Sequence, residues 1–205
     1  MVEQSAQRLR QLNSEYRLTP EEAVLAELLG QIGWSSEKLF RTPENAQLRH
    51  LSIESFLIEQ GELFTRPARP STRFGETQAC FMNAGAIALT DSQWTYVEGY
   101  ALLGSIEVPI HHAWLVSVKD ELWDPTWDEP GSVYFGVPIR REFLCRAVAE
   151  QECYGLFESG HELTRLVAGL ENDFKVTVCS SPTSDLFRQT ARHYWDAAEP
   201  GRTEL

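Results

Sequence analysis

The sequence predicts an α+β protein with helices first and an antiparallel sheet after them. Apolar residues recur at helical spacing in the first third of the chain, and the period shifts towards two after the apolar segment that ends at Leu89. The strand-like segments follow one another instead of alternating with helices, which is typical of antiparallel sheets.

Length and composition indicate one folded domain over residues 1–205. The chain has 42% hydrophobic and 23% charged residues, the ordinary range for globular proteins. Its 18 Lys and Arg stand against 30 Asp and Glu, and the net charge of −12 repels nucleic-acid phosphates and anionic membranes. The first residues are polar and no apolar segment reaches membrane length. We therefore expect a cytoplasmic protein without nucleic-acid or membrane partners.

The four cysteines do not form a metal or redox motif. Cys80, Cys145, Cys153 and Cys179 lie at unrelated spacings and include no CxxC pair. Disulfides are not expected in a cytosolic chain, so each cysteine is either a small buried hydrophobe or a working thiol. We expect no metal site and no cofactor.

Residues 1–64 are predicted to be a helical N-terminal extension. Helical patterns cover Ser5 to Tyr16 and Ile53 to Phe64. Between them a helix begins at Pro20, with Thr19 as its N-cap, and is expected to stop near Gly30 to Gly33.

Residues 65–77 are interpreted as an extended connector, residues 78–198 as the core, and residues 199–205 as a tail. The connector holds two prolines and three arginines and cannot be helical throughout. An apolar helix is expected over Gln78 to Leu89, with Thr77 as its cap. Strands are predicted over Tyr96–Leu103, Ala113–Val118, Glu121–Trp123 and Val133–Val137, and further helices over His161–Leu170 and Ser184–Ala198.

Three polar residues of this core together predict a thiol triad. Cys80 stands near the first turn of the apolar helix, where the helix dipole favours thiolate over thiol. His112 lies near the start of one strand, and Asp124 ends the next. A histidine beside the thiol would lower its pKa further, and an aspartate on the other ring nitrogen would fix the histidine tautomer.

The length of the hairpin loop decides which histidine meets Asp124. Because side chains alternate between faces along a strand, a three-residue loop, 118–120, puts Trp114 opposite Asp124 and His112 on the same face. A two-residue loop puts Leu115 opposite Asp124 and turns the carboxylate towards the face of His111. Sequence spacing alone leaves both arrangements open.

The segments around Cys80, His112-Ala113-Trp114 and Asp124-Pro125-Thr126 resemble the transglutaminase-like superfamily of papain-like thiol enzymes. The resemblance covers roughly Gln78 to Ile139. It implies that His112, and not His111, is the working histidine, and that the nucleophile helix packs across an antiparallel sheet. It also implies acyl transfer through a thioester, on a peptide, amide or thioester substrate and possibly with an amine acceptor.

Two departures from the family pattern concern the oxyanion and the acyl donor. Papain-type enzymes carry an oxyanion-hole glutamine six residues before the nucleophile, where this chain has Phe74, so Gln78 is the nearest candidate. The arginine and glycines that precede the cysteine in arylamine acetyltransferases are replaced by Thr77-Gln78-Ala79. Acetyl-coenzyme A is therefore disfavoured as a donor.

Two further polar residues are candidates for the site. Glu98 lies within an aromatic, strand-like stretch and points either to solvent or into a polar cleft, where it would position substrate. Asn83, one helical turn after Cys80, either supports the site or makes a local polar contact. The sequence thus predicts a thiol hydrolase or acyltransferase. The alternative is a non-catalytic protein-binding module that retains a transglutaminase-like fold.

Overall fold

The computed structural model describes residues 17–64, 75–104, 107–151, 154–157, 173–178 and 180–198. The helices predicted over Ser5–Tyr16 and His161–Leu170, the tail and nearly all of the connector lie outside these residues.

Five α-helices and five strands form over the described residues, which confirms the α+β prediction. The helices are α1 (Pro20–Phe40), α2 (Ile53–Gln60), α3 (Cys80–Thr90), α4 (Arg141–Gln151) and α5 (Ser184–Ala197). The strands are β1 (Glu62–Phe64), β2 (Trp94–Leu102), β3 (Pro109–Ser117), β4 (Leu122–Trp123) and β5 (Val133–Ile139). No described helix combines the length and apolar character that a membrane span requires.

Helix α1 begins as predicted but continues past its expected end. The Thr19 hydroxyl accepts from the Glu22 amide, and the Glu22 carboxylate accepts from the Thr19 amide, which completes a capping box. Gly30 and Gly33 do not stop the helix, because they are the places where α5 packs against it. A Cβ on Gly30 would lie 2.3 Å from the Ala191 carbonyl oxygen, and one on Gly33 would lie 2.5 Å from the Trp195 ring. These glycines serve helix packing.

The helix predicted over Ile53 to Phe64 is shorter than expected. Ser52 caps α2 by accepting from the Ser55 amide, and the helix ends at Gln60. Residues Glu62–Phe64 form strand β1, which pairs antiparallel with β5. The segment predicted as the last turn of the helix is therefore an edge strand of the sheet, contributed by the N-terminal part of the chain.

The sheet is antiparallel with strand order β1-β5-β2-β3-β4. Its register places Glu98 opposite Ala113, Gly99 opposite His112 and Tyr100 opposite His111. Because directly opposed residues share a face, His111 and Glu98 lie on one face of the sheet and His112 lies on the other. We call the first of these the helix face and the second the outer face.

The main hydrophobic core lies on the helix face. Apolar residues of α1, α2, α3, α4 and α5 pack there against alternate residues of the strands. A smaller cluster covers the outer face, with Trp114 and Tyr134 at its centre. Helix α4, which the sequence did not predict, contributes Phe143, Leu144 and Ala147 to the main core.

Candidate active site

The β3–β4 hairpin has a three-residue loop, which settles the choice that the sequence left open. Leu115 pairs with Trp123 and Val116 with Leu122, and the Ser117 amide donates to the Glu121 carbonyl at 2.9 Å. The third loop residue, Asp120, has φ +63°, the left-handed conformation usual in such loops. Asp124 is thereby brought to the outer face, on the side of His112.

His112 and Asp124 form a buried pair. The His112 Nε2 atom lies 2.8 Å from Asp124 Oδ2, and both side chains are almost fully inaccessible to solvent. The other carboxylate oxygen, Oδ1, accepts from the amides of Thr126 at 2.9 Å and Trp127 at 3.2 Å. These bonds are an Asx-type turn, so the Asp-Pro-Thr-Trp segment folds around its own first side chain.

Two aromatic residues complete the surroundings of the pair. The Tyr134 hydroxyl donates to Asp124 Oδ2 at 2.9 Å and accepts from the Gly131 amide at 2.7 Å. The Trp127 ring stacks on the His112 ring with centroids 3.9 Å apart. All four contacts of Asp124 are thus with donors, and His112 must donate from Nε2. The lone pair of the imidazole then resides on Nδ1.

Cys80 lies in the first turn of α3, as predicted, but the helix begins at Cys80 and not at Gln78, and the thiol is buried. Only 8% of the residue is exposed, and the backbones of Ala113 and Phe81 make hydrogen bonds to the sulfur. Burial raises the pKa of the Cys80 thiol to about 11, and the carboxylates of Glu98 and Asp124 act in the same direction. The expectation of a thiol ionised near neutral pH is therefore wrong for this arrangement, because desolvation outweighs the backbone hydrogen bonds.

The N-terminus of α3 also differs from its predicted form. The N-cap is Ala79 and not Thr77, and it makes no side-chain hydrogen bond. Gln78, two residues before the thiol, has φ +65°, a left-handed conformation that non-glycine residues seldom adopt. A strained residue and a cap without an acceptor side chain therefore lead directly into Cys80.

Asn83 links the thiol helix to the aspartate loop. Its Nδ2 donates to Thr126 Oγ1 at 3.0 Å and to the Glu76 carbonyl at 2.8 Å, and its Oδ1 accepts from the Glu76 amide. Gly75 has φ +97°, and a Cβ there would lie 2.1 Å from Asn83 Oδ1. Asn83 thus ties the segment before Cys80 to a residue whose amide holds Asp124.

Glu98 is fully buried on the helix face, and its oxygens already have donors. Oε2 accepts from the Tyr96 hydroxyl at 2.6 Å and the Leu156 amide at 2.9 Å, and Oε1 accepts from the Phe157 amide at 2.9 Å. His111 Nε2 lies 3.2 Å from Oε1. The solvent-facing arrangement is wrong. The carboxylate is close enough to affect the thiol, but its main contacts hold residues 154–157 against the sheet.

The sequence predicted that His112 and Asp124 could meet, but it gave no sign of the Tyr134 contact to Asp124. Tyr134 lies in a uniformly buried strand, and nothing in its local pattern distinguishes a hydroxyl bonded to a carboxylate from an ordinary core tyrosine. The hydrogen bond from the Thr126 amide to Asp124 could have been predicted, since an Asp side chain commonly accepts from the amide two residues later in an Asx turn. Among the described residues, no group of three His, Cys, Asp or Glu side chains could hold a metal ion.

Comparisons with family models, curated proteins and solved structures found no match to this chain.

Proposed function

We propose that this protein is a thiol hydrolase or acyltransferase in which Cys80, His112 and Asp124 act on an amide or thioester. The observation that carries the proposal is the buried His112–Asp124 pair at 2.8 Å, beside a strand amide, Ala113, that bonds to the Cys80 sulfur. A fully buried imidazole held by a carboxylate with three further donors is an arrangement typical of general-base sites. We also propose that the fold is of the transglutaminase-like, papain-like type.

The first chemical step follows from the tautomer. Because Nε2 donates to Asp124, the Nδ1 lone pair of His112 serves as the base. Because α3 packs on the helix face and His112 lies on the outer face, the proposed step requires the Cys80 side chain to turn towards His112. Its sulfur then attacks the carbonyl carbon while the thiol proton passes to Nδ1, and the carbonyl π electrons move to the oxygen. With a pKa of about 11 the Cys80 thiol holds little thiolate at neutral pH, so in the proposed route His112 accepts the thiol proton during the attack.

Backbone amides at the start of α3 are suited to hold the oxyanion. The N-cap, Ala79, supplies no acceptor side chain to the first-turn amides, and the positive end of the helix dipole lies there. Gln78 stands at the entrance to this turn and is a second candidate donor. Collapse of the intermediate expels the amine or thiol, which takes the proton from His112 Nδ1 and leaves an acyl-Cys80 thioester.

The second half-reaction resolves the thioester. Water or an amine acceptor loses a proton to Nδ1 as it attacks the acyl carbon, and the Cys80 sulfur leaves and regains that proton. Asp124 holds the imidazolium in place in both half-reactions and does not itself carry the proton. No cofactor enters this sequence.

The second candidate is a protein-binding module that keeps the fold without turnover. The burial of Cys80, with 8% of the residue exposed, favours it, because a nucleophile must meet its substrate. The two candidates differ in one measurable property, the capture of an acyl group on sulfur.

The test is acyl trapping followed by intact-mass and peptide mass spectrometry. Wild-type protein is incubated with p-nitrophenyl acetate and with a phenyl thioester, beside Cys80→Ala and the matched control Cys145→Ala, which removes an exposed cysteine. We expect an acetyl adduct on Cys80 in wild type and Cys145→Ala and none at that position in Cys80→Ala. Acetylation of Cys145 without acetylation of Cys80 would support the binding module.

A further inference from the structure

The hydroxyl group of Tyr134, on β5, connects the two ends of the loop that follows Asp124. It donates to Asp124 Oδ2 at 2.9 Å and accepts from the Gly131 amide at 2.7 Å. Because an amide N–H can only donate, the hydroxyl proton of Tyr134 must point to the carboxylate. Burial, together with the charge of Asp124, raises the pKa of the Tyr134 hydroxyl far above its ordinary value. The group is therefore a neutral donor of fixed direction.

The Tyr134 hydroxyl completes the set of donors around the Asp124 carboxylate. The amides of Thr126 and Trp127 donate to Oδ1. The Tyr134 hydroxyl and His112 Nε2 both meet Oδ2. Each carboxylate oxygen offers about two lone-pair sites, so these four donors fill the group. No site is left for a further proton, and the proton on His112 Nε2 stays with the ring.

Tyr134 and His112 compete for the same carboxylate oxygen. The two rings lie with their centroids 6.5 Å apart, one on each side of Asp124 Oδ2. A hydrogen bond from the hydroxyl draws on the negative charge of that oxygen, and so reduces its attraction for an imidazolium. The protonated ring is thus favoured less than it would be beside an Asp124 with three donors.

The titratable side chains around this position of β3 come from α3, β2, β3, β5 and the loop after β4, and they are Cys80, Glu98, His111, Tyr134 and Asp124. Glu98 and His111 face the helices, on the other side of the sheet from His112. The residue of β2 directly opposite His112 is Gly99, which carries no side chain. Tyr134 is therefore the side chain through which the neighbouring strands act on the pair of His112 and Asp124.

We propose that Tyr134 is a positioning residue that keeps His112 in its neutral, proton-accepting form by sharing the charge of Asp124. This inference rests on the proposed acyl transfer at Cys80. The hydroxyl acts through the carboxylate and meets no reacting atom. Its second bond, to Gly131, closes the loop whose amides hold Asp124.

The test is the pH dependence of Cys80 acetylation by p-nitrophenyl acetate, followed by peptide mass spectrometry between about pH 5 and 9. The variant is Tyr134→Phe. The matched control is Tyr96→Phe, which removes a hydroxyl that donates to the other buried carboxylate, Glu98. The rate falls on the acid side of the profile where His112 becomes protonated. We expect Tyr134→Phe to move this acid limb to higher pH by about half a unit or more, and Tyr96→Phe to leave it in place.

A second measurement needs no turnover. Proton–nitrogen NMR of the His112 ring gives the midpoint of its protonation, and this midpoint should rise in Tyr134→Phe and not in Tyr96→Phe. If Tyr134→Phe does not fold, replacement of the tyrosines by 3-fluorotyrosine keeps the hydroxyl and makes it a stronger donor. The midpoint should then fall below that of the wild type.

Two results would overturn the proposal. One is a slower Tyr134→Phe variant with an unmoved acid limb and an unmoved midpoint, because Tyr134 would then only support the fold. The other is an equal shift in Tyr134→Phe and Tyr96→Phe. If the wild type is not acetylated on Cys80, the proposed function fails, and the NMR midpoint alone decides whether Tyr134 acts on His112.

Discussion

Two adjacent histidines of β3 face opposite sides of the sheet, and each lies against a buried carboxylate. His111 Nε2 is 3.2 Å from Glu98 on the helix face, and His112 Nε2 is 2.8 Å from Asp124 on the outer face. The two pairs differ in where the other donors come from. The backbone donors to Glu98 are Leu156 and Phe157, far along the chain, and its side-chain donor is Tyr96. The backbone donors to Asp124 are Thr126 and Trp127 of its own loop, and its further side-chain donor is Tyr134.

This difference separates a pair that holds tertiary structure from the pair that we propose to react. The backbone donors to Glu98 belong to a segment that must be held down, so the His111–Glu98 pair stabilises tertiary structure. The donors to Asp124 fix the carboxylate itself, and through it the tautomer of His112. Two similar histidine–carboxylate pairs can therefore have different roles, depending on which other groups bond to the carboxylate.

The largest effect expected from this comparison is the loss of the proposed general base, His112. His112→Ala should slow acylation of Cys80 by p-nitrophenyl acetate by between about 10²- and 10⁴-fold, because the thiol then has no base for its proton. His111→Ala is the matched control and should change the rate less than tenfold. Stopped-flow release of p-nitrophenolate measures both. If the His111 variant is acylated more slowly than the His112 variant, the proposed assignment is reversed.

The next largest effect should come from replacing the two carboxylates, because only the one on the outer face should change the acylation rate strongly. Asp124→Asn lets the amide present a donor to His112 and should slow acylation by up to about 10⁴-fold, as expected when the tautomer is no longer fixed. Glu98→Gln keeps the shape on the helix face and should leave this rate within tenfold of wild type. Equal losses of rate in the two variants would contradict the division of roles.

The buried Cys80 thiol should label slowly near neutral pH. With a pKa of about 11 against an ordinary 9.0, Cys80 carries roughly 100-fold less thiolate at pH 7 than an unperturbed cysteine. Alkylation by iodoacetamide should therefore rise about tenfold per pH unit until the pH approaches 11. Peptide mapping follows Cys80, with exposed Cys145 as the internal reference. Fast labelling of Cys80 at pH 7 would instead reveal a thiolate–imidazolium pair.

The smallest effect concerns stability on the helix face. Glu98→Gln replaces one acceptor oxygen with an NH₂ group that faces backbone donors, and should lower the free energy of unfolding by about 1–3 kcal/mol. Urea denaturation followed by circular dichroism measures the change. The control is Glu121→Gln, a partly exposed glutamate of the β3–β4 turn. A stability equal to that of wild type would show that Glu98 does not fasten residues 154–157.

Much of the local structure could be predicted from the sequence where short-range chemistry determines it. The start of α1 follows from Thr19, Pro20 and Glu22, and all four predicted strands are found with bounds shifted by a few residues. The pairing of Asp124 with one of two histidines was also foreseeable from alternation along β3. Which histidine it was depended on a loop conformation at Asp120 that few residue types encode strongly.

Other features depend on contacts between distant parts of the chain. Gly30 and Gly33 signal a helix end locally, but close packing with α5 keeps them inside α1. The pKa of Cys80 was expected to be lowered because a helix N-terminus can be predicted from the sequence, whereas the burial that raises this pKa cannot. Helix α4 has a weaker separation of apolar and polar faces than the predicted helix α5, and so does not stand out in the sequence, although three of its residues enter the core.

The contact between Gly75 and Asn83 has a consequence for mutational tolerance. Any side chain at position 75 must displace the Asn83 amide, which in turn bonds to Thr126 beside the aspartate. A deep scan of single substitutions scored by acylation should therefore mark position 75 as intolerant, even to alanine, although it contributes no functional group. Loss of acylation in a variant of Gly75 would show that displacement of Asn83 disturbs the position of Thr126 and Asp124.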